Sequence, residues 1–243
     1  MRIFILLVLA IAPSIVLVYY FYQQDKKKPE PKRLILKIFG LGFAFTLPAI
    51  LIEMQFDRLF RMVAYGTWVH DLLKAFIVAA LVEEVLKLLV VLRFAYRHVD
   101  FDEVMDGIVY AVVASLGFAC LENVIYAMEC GLGIIMVRGI TAVPMHAVAS
   151  GMMGYYIGKA KFSLTSSKAK RLIGKGLCMA ILFHGVYDLF IFASPRIGNA
   201  LALGVFPWIL IVFVKLKQKI KFAISEDFHA GRHSNSPAIS QNS

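Results

Sequence analysis

Ala79-Ala80-Leu81-Val82-Glu83-Glu84-Val85-Leu86-Lys87-Leu88-Leu89 sets two adjacent carboxylates and a lysine in the middle of an apolar run that extends from Leu72 to Tyr96. A helix needs about 20 apolar residues to cross a bilayer, so this run is long enough. An ionisable side chain at the centre of a bilayer costs roughly 2.5–3.5 kcal/mol or more. Three such groups within five positions predict a hydrated site, and other parts of the chain must supply the groups that solvate it.

The composition sets the class. Of 243 residues, 60% are hydrophobic and 17% charged, and the mean hydropathy is +0.73. A soluble domain carries about 25% charged residues. The expectation is an all-α polytopic membrane protein, embedded in lipid. The formal net charge is +10, but the basic residues collect in short clusters between apolar runs. That placement is a topology signal and gives no reason to expect a nucleic-acid partner. Cys120, Cys130 and Cys178 are odd in number and lack metal-type spacing, so no disulfide framework is expected. Cys120 and Cys178 read as buried small apolar residues.

Seven apolar segments follow one another: 3–22, 34–52, 72–96, 105–128, 134–157, 172–193 and 200–214. The first lacks the charged leader and small-residue cleavage site of a signal peptide, so it reads as a retained helix with its N-terminus outside. Residues 53–71 are mixed-charge and aromatic, which suits an interfacial segment on the outer face. A single transmembrane domain over 1–224 is expected, followed by a polar, aromatic-poor cytoplasmic tail over 225–243 with the composition of disorder. With the N-terminus outside and the C-terminus cytoplasmic, 17 of the 26 lysines and arginines fall in the four inner segments. The alternation obeys the positive-inside rule at every turn. The lysines of 26–33 and 159–171 are topology signals first, with anionic-lipid contact second.

Counted along each span, Glu83 and Glu84, His146, and His184 with Asp188 lie about twelve to sixteen residues in, and Glu122 and Asn123 about seventeen. Acids and imidazoles from four helices at similar depth can converge on one wet cavity. Glu83 and Lys87 are spaced i,i+4 and can pair on one helix face. Glu84 lies about 100° round from Glu83, so the two carboxylates need not share a role. Glu122 with Tyr126 and His184 with Asp188 repeat the i,i+4 spacing, and Asp188 can hold the His184 imidazole in one orientation. Gly154 and Gly158 form a small-xxx-small face for close helix packing.

The pattern Glu83-Glu84-x-x-Lys87, then Phe118-x-x-x-Glu122-x-x-x-Tyr126, then His146 with Gly154 eight residues later, then His184-x-x-x-Asp188 resembles the PrsW family of intramembrane proteases. It spans residues 83–188 across four spans. Glu-Glu-x-x-Lys alone is a weak signal, whereas four motifs in order at matching depth are a strong one. The family is related to the CAAX prenyl endopeptidases. The resemblance implies a multi-pass protein of the bacterial cytoplasmic membrane. It also implies a single-span membrane protein as substrate, an anti-sigma factor in this family, cut on the extracytoplasmic side.

Peptide hydrolysis needs an activated water, stabilisation of the oxyanion and a proton for the leaving amine. Glu83 is expected as general base, with Glu84 as the alternative base or as the group that orients a histidine. His146 and His184 would donate to the oxyanion or leaving nitrogen, and Asp188 would fix His184. Glu122, Tyr126, Asn123 and Lys87 would support the site by packing, pairing or holding the water. No cofactor is favoured. The zinc alternative would use Glu83, His146 and His184, two histidines and a carboxylate with an open position, although no His-Glu-x-x-His is present. Serine or cysteine nucleophiles are disfavoured, since Ser115, Ser150 and Cys178 lack a base at diagnostic spacing. A proton- or ion-coupled transporter is the reading from another class, but the halves show no internal repeat. A prenyl-type CAAX protease is disfavoured because the arginine that usually follows its paired glutamate is absent.

Overall fold

The structure is a computed structural model that describes residues 2–25 and 28–232. Among them the chain is helical throughout, with no strand: α1 (Arg2–Tyr22), α2 (Lys32–Ala64), α3 (Trp68–Leu73), a π-helical stretch (Lys74–Leu81), α4 (Val82–Phe94), α5 (Val104–Cys130), α6 (Leu132–Ile140), α7 (Ala142–Lys161), α8 (Ser166–Ile197), a 3-10 turn (Asn199–Gly204) and α9 (Val205–His229). Six helical segments are long and apolar enough to cross a membrane. The seventh expected span is the unbroken run from α3 through α4, whose middle is wound as a π-helix. The expected all-α membrane architecture is what the chain adopts.

α5 is the axis of the bundle, and nearly all of its apolar span is buried. Its sequence explains why. Gly107, Ala111, Ala114, Ser115, Gly117 and Ala119 present small side chains in several directions, so neighbours approach on every side. The closest approach is to α7, where a Cβ on Gly154 would run into the Gly107 carbonyl and one on Gly158 into the Val104 carbonyl. The small-xxx-small face is therefore a packing face. α5 starts in a capping box, with the Glu103 side chain accepting from the Asp106 backbone and Asp106 from that of Glu103. It stops at Gly131, whose φ of 77° suits only a residue without Cβ. The peripheral helices instead turn large apolar side chains outward, among them Phe4, Val16, Leu51, Leu182 and Leu210. Lipid is the solvent that makes this favourable.

Several boundaries differ from the sequence reading. α2 does not stop at Ile52 but continues to Ala64, so Glu53 belongs to a helix and not to an interfacial loop. The Asp57–Arg61 pair, 2.7 Å apart at i,i+4, supports that extension. The fifth span is broken at Thr141, whose φ and ψ of −122° and −70° are not helical. Pro144 sits in the first turn of α7, where a missing N–H leaves no unpaired carbonyl behind. α9 crosses the expected boundary at 224/225 and runs to His229, and the remainder of the expected tail, 233–243, lies outside the described residues. Cys120 is buried as expected, but Cys178 is exposed on the outward face of α8.

Candidate active site

The π-helical stretch delivers Glu83 and Glu84 to the first turn of α4. Widening the helix there shifts the register of everything that follows, and π-turns recur at functional sites for this reason. Lys87 is wholly buried beneath the two glutamates. Its ammonium has three N–H donors, and all three are used: 2.8 Å to Glu83 Oε2, 2.8 Å to Glu84 Oε1 and 3.0 Å to His146 Nδ1 from α7. The Phe118 ring of α5 lies under the same ammonium, 5.2 Å from its centroid.

These contacts fix both imidazoles. Since Lys87 only donates, His146 Nδ1 accepts, and its proton sits on Nε2, which faces Glu122 Oε2 at 3.3 Å. His184 from α8 faces Glu84 Oε1 through Nδ1 at 3.0 Å. Its Nε2 looks toward Asp188 Oδ2 at 3.5 Å. Glu84, from another helix, therefore holds this imidazole more closely than the in-helix Asp188. The His146 and His184 rings meet edge to face, 4.9 Å apart.

The two adjacent glutamates differ sharply. Glu84 is completely buried and both its oxygens are engaged, Oε1 by Lys87 and His184 and Oε2 by the Ser150 hydroxyl at 2.7 Å. Glu83 is 6% exposed and accepts only from Lys87, through Oε2. Its other oxygen is open. Asp188 Oδ2 is buried without a hydrogen-bond partner at the same crevice. Ser115 donates to the His146 backbone carbonyl at 2.8 Å, so both serines brace the site.

The supporting residues are gathered by one cation that the sequence reading left unassigned. Arg138 of α6 donates to Glu122 Oε2 at 2.7 Å and to Asn123 Oδ1 at 2.8 Å, and stacks on the Tyr126 ring at 4.1 Å. Asn123 in turn donates to the Ala10 carbonyl of α1 at 3.3 Å. Glu53 of α2 was also missed. Its carboxyl lies within electrostatic reach of Glu83, Glu122, Asp188 and Lys87, and Oε1 is buried without a partner. A lone arginine in an apolar run was the available signal for Arg138, since it must find an acid. Glu53 had no such signal, standing where the apolar run gives way to charges.

One oxygen of Glu83 and one nitrogen each from His146 and His184 lie within 4.8 Å of one another. In composition this matches a catalytic zinc set. The surroundings do not fit a dication. The Lys87 ammonium lies against this set, 2.8 Å from Glu83 Oε2 and 3.0 Å from His146 Nδ1. A divalent ion about 4 Å from that charge would be repelled by about 8 kcal/mol at an effective dielectric of about 20.

Comparison with known proteins matches the chain to a family. Residues 30–216 match the family described as "PrsW family intramembrane metalloprotease". Protease PrsW of Geobacillus kaustophilus is 34% identical over 220 residues, which cover 90% of this chain and 94% of the relative. Protease PrsW of Bacillus subtilis is 35% identical over 199 residues, 82% of this chain and 88% of the relative. That of Clostridioides difficile is 30% identical over 219 residues, 88% and 87% of the two chains. No solved structure matches. With the motif residues of four spans drawn to one buried cluster and the match running through most of its length, this chain belongs to the PrsW family of intramembrane proteases.

Proposed function

We propose that the protein hydrolyses a peptide bond of a single-span membrane protein by a glutamate-activated water, with no metal in the reaction. The observation that carries the reading is the contrast within the glutamate pair. A general base needs a free lone pair within reach of water. Glu83 keeps one whole oxygen free among the described residues and is partly exposed, whereas Glu84 is fully buried with both oxygens engaged, by Lys87, His184 and Ser150.

In this reading the water held at the open oxygen of Glu83 gives that carboxylate a proton as its oxygen attacks the scissile carbonyl. The negative charge that develops on the carbonyl oxygen is met by the Nε2–H of a doubly protonated His184, whose Nδ1–H is held by Glu84, with the fixed Lys87 ammonium beneath. The proton on Glu83 then passes to the leaving nitrogen as the C–N bond breaks. Glu84 is a positioning residue that fixes His184 through Nδ1 and shares Lys87 with Glu83. The unpartnered Asp188 oxygen, beside His184 Nε2, is placed to accept an N–H of the substrate backbone. Glu122, with Arg138, Asn123 and Tyr126, holds His146 from behind.

The substrate class follows from the site's position among membrane spans, and an anti-sigma factor of a bacterial cytoplasmic membrane is the family-guided choice. The basic clusters favour the N-terminus outside and the C-terminus in the cytoplasm, which puts the cut on the outer side. The test is co-expression with a single-span protein carrying a short outer domain, comparing wild type with Glu83→Gln. Wild type should yield the truncated fragment and the variant, present in the membrane at equal level, should not. Equal cleavage by both would overturn the role of Glu83.

A further inference from the structure

A second buried cluster lies at the far end of α5. Asp106 and Glu122 are sixteen residues apart on that helix, which separates them by about 24 Å along its axis. Asp25, in the connection between α1 and α2, is 4% exposed, and Glu103 and Asp106 at the start of α5 are 0% exposed. One carboxylate oxygen from each lies within 4.8 Å of the other two. Glu30, also buried, accepts the Tyr110 hydroxyl and lies beside Asp106.

Among the described residues, the hydrogen-bond donors at this end have acceptors already. Asp106 Oδ2 takes the backbone N–H groups of Asp102 and Glu103, each at 2.7 Å. Those of Val104 and Met105 go to the two oxygens of Asp227, at 2.8 and 3.1 Å. Lys28 pairs with Asp102 at 2.5 Å, and Arg232 with Asp227 at 2.8 Å. Asp25 Oδ2 and Asp106 Oδ1, on two residues of the cluster, are buried without a hydrogen-bond partner. Among the described residues no lysine, arginine or histidine pairs with Asp25 or Asp106.

We propose that Asp25, Glu103 and Asp106 bind a hard divalent cation of the Mg2+, Mn2+ or Ca2+ class, at the end of the bundle remote from the active site. Buried carboxylates are retained where a countercharge repays their desolvation. An all-oxygen donor set with neither sulfur nor nitrogen selects hard cations. The spacing agrees, because two oxygens bound to one ion at about 2.4 Å can be no more than about 4.8 Å apart. The ion ties the connection between α1 and α2 to the start of α5, which Asp227 of α9 already caps. The site is independent of the protease reading and does not involve Glu83 or either intramembrane histidine.

The test is Mn2+ titration of the full-length protein in nanodiscs of zwitterionic lipid, read by the loss of the free-ion EPR signal. One saturable site is expected, with a dissociation constant below about 1 mM, displaced by Mg2+ or Ca2+. Asp25→Asn should weaken it about tenfold or more. It should leave the Tm in EDTA no lower than wild type, since Asp25 gives up no hydrogen bond. Glu83→Gln, at the other cluster, and Glu129→Gln, on the exposed end of α5, should bind Mn2+ as wild type does. Absence of saturable binding by the wild-type protein would overturn the site, as would undiminished binding by Asp25→Asn. Loss of binding in Glu83→Gln would overturn it as well.

Discussion

Two clusters of buried acid stand at opposite ends of α5, and they are balanced in different ways. Around Glu83 and Glu84 the countercharges are covalent parts of the chain. Lys87 donates to both glutamates, Arg138 holds Glu122, and two imidazoles fill the space between. Around Asp25 and Asp106 the described residues supply carboxylates and a tyrosine, while nearby cations pair with other acids. The first cluster carries its own cations and leaves one oxygen of Glu83 without a partner among the described residues. The second leaves a buried oxygen of Asp25 and one of Asp106 without a partner.

The largest effect that bears on this contrast comes from Lys87→Met. Removing the ammonium takes away the hydrogen bond to Glu83 and leaves Glu84 to His184 and Ser150 alone, at a cost of about 3–5 kcal/mol. Thermal unfolding in detergent should show it, together with complete loss of cleavage. The matching change at the other end, Lys28→Met, breaks a partly exposed pair with Asp102 and should cost less than about 1 kcal/mol. His184→Ala should lower the cleavage rate by about 100-fold or more, with the protein still in the membrane. Ser150→Ala should be milder, removing the one bond to Glu84 Oε2 and losing about 1.5–3 kcal/mol of stability. EDTA gives the smallest effect at the active site, leaving the cleavage rate of the purified enzyme within about twofold. The same treatment should lower its Tm by emptying the Asp25 cluster, which separates the two ends in one sample.

Much of the site was legible because charge in an apolar run has to be explained. Glu83, Glu84, Lys87, His146, His184 and Asp188 stand out at matching depth, and the folded chain brings them together. What was hidden depends on geometry that composition does not encode. The π-helical winding of Lys-Ala-Phe-Ile-Val-Ala-Ala-Leu over 74–81 has no polar marker to betray its register. The unequal state of Glu83 and Glu84 rests on Ser150 reaching across from α7, a pairing invisible along the chain. Arg138 could have been assigned by asking for its acid. The break at Thr141 had Pro144 as its sign, but an apolar run on both sides concealed it. The Asp25 cluster went unread because Asp25 stands among the lysines of one connection and Glu103 and Asp106 follow another, with nothing along the chain to pair them.

The most direct measurement is a side-by-side cleavage rate for Glu83→Gln and Glu84→Gln in purified, folded enzyme with one single-span substrate. If Glu83 is the base and Glu84 positions His184, the first variant falls by about 1,000-fold or more and the second retains a measurable fraction. The reverse order, with Glu83→Gln the more active of the two, would contradict it.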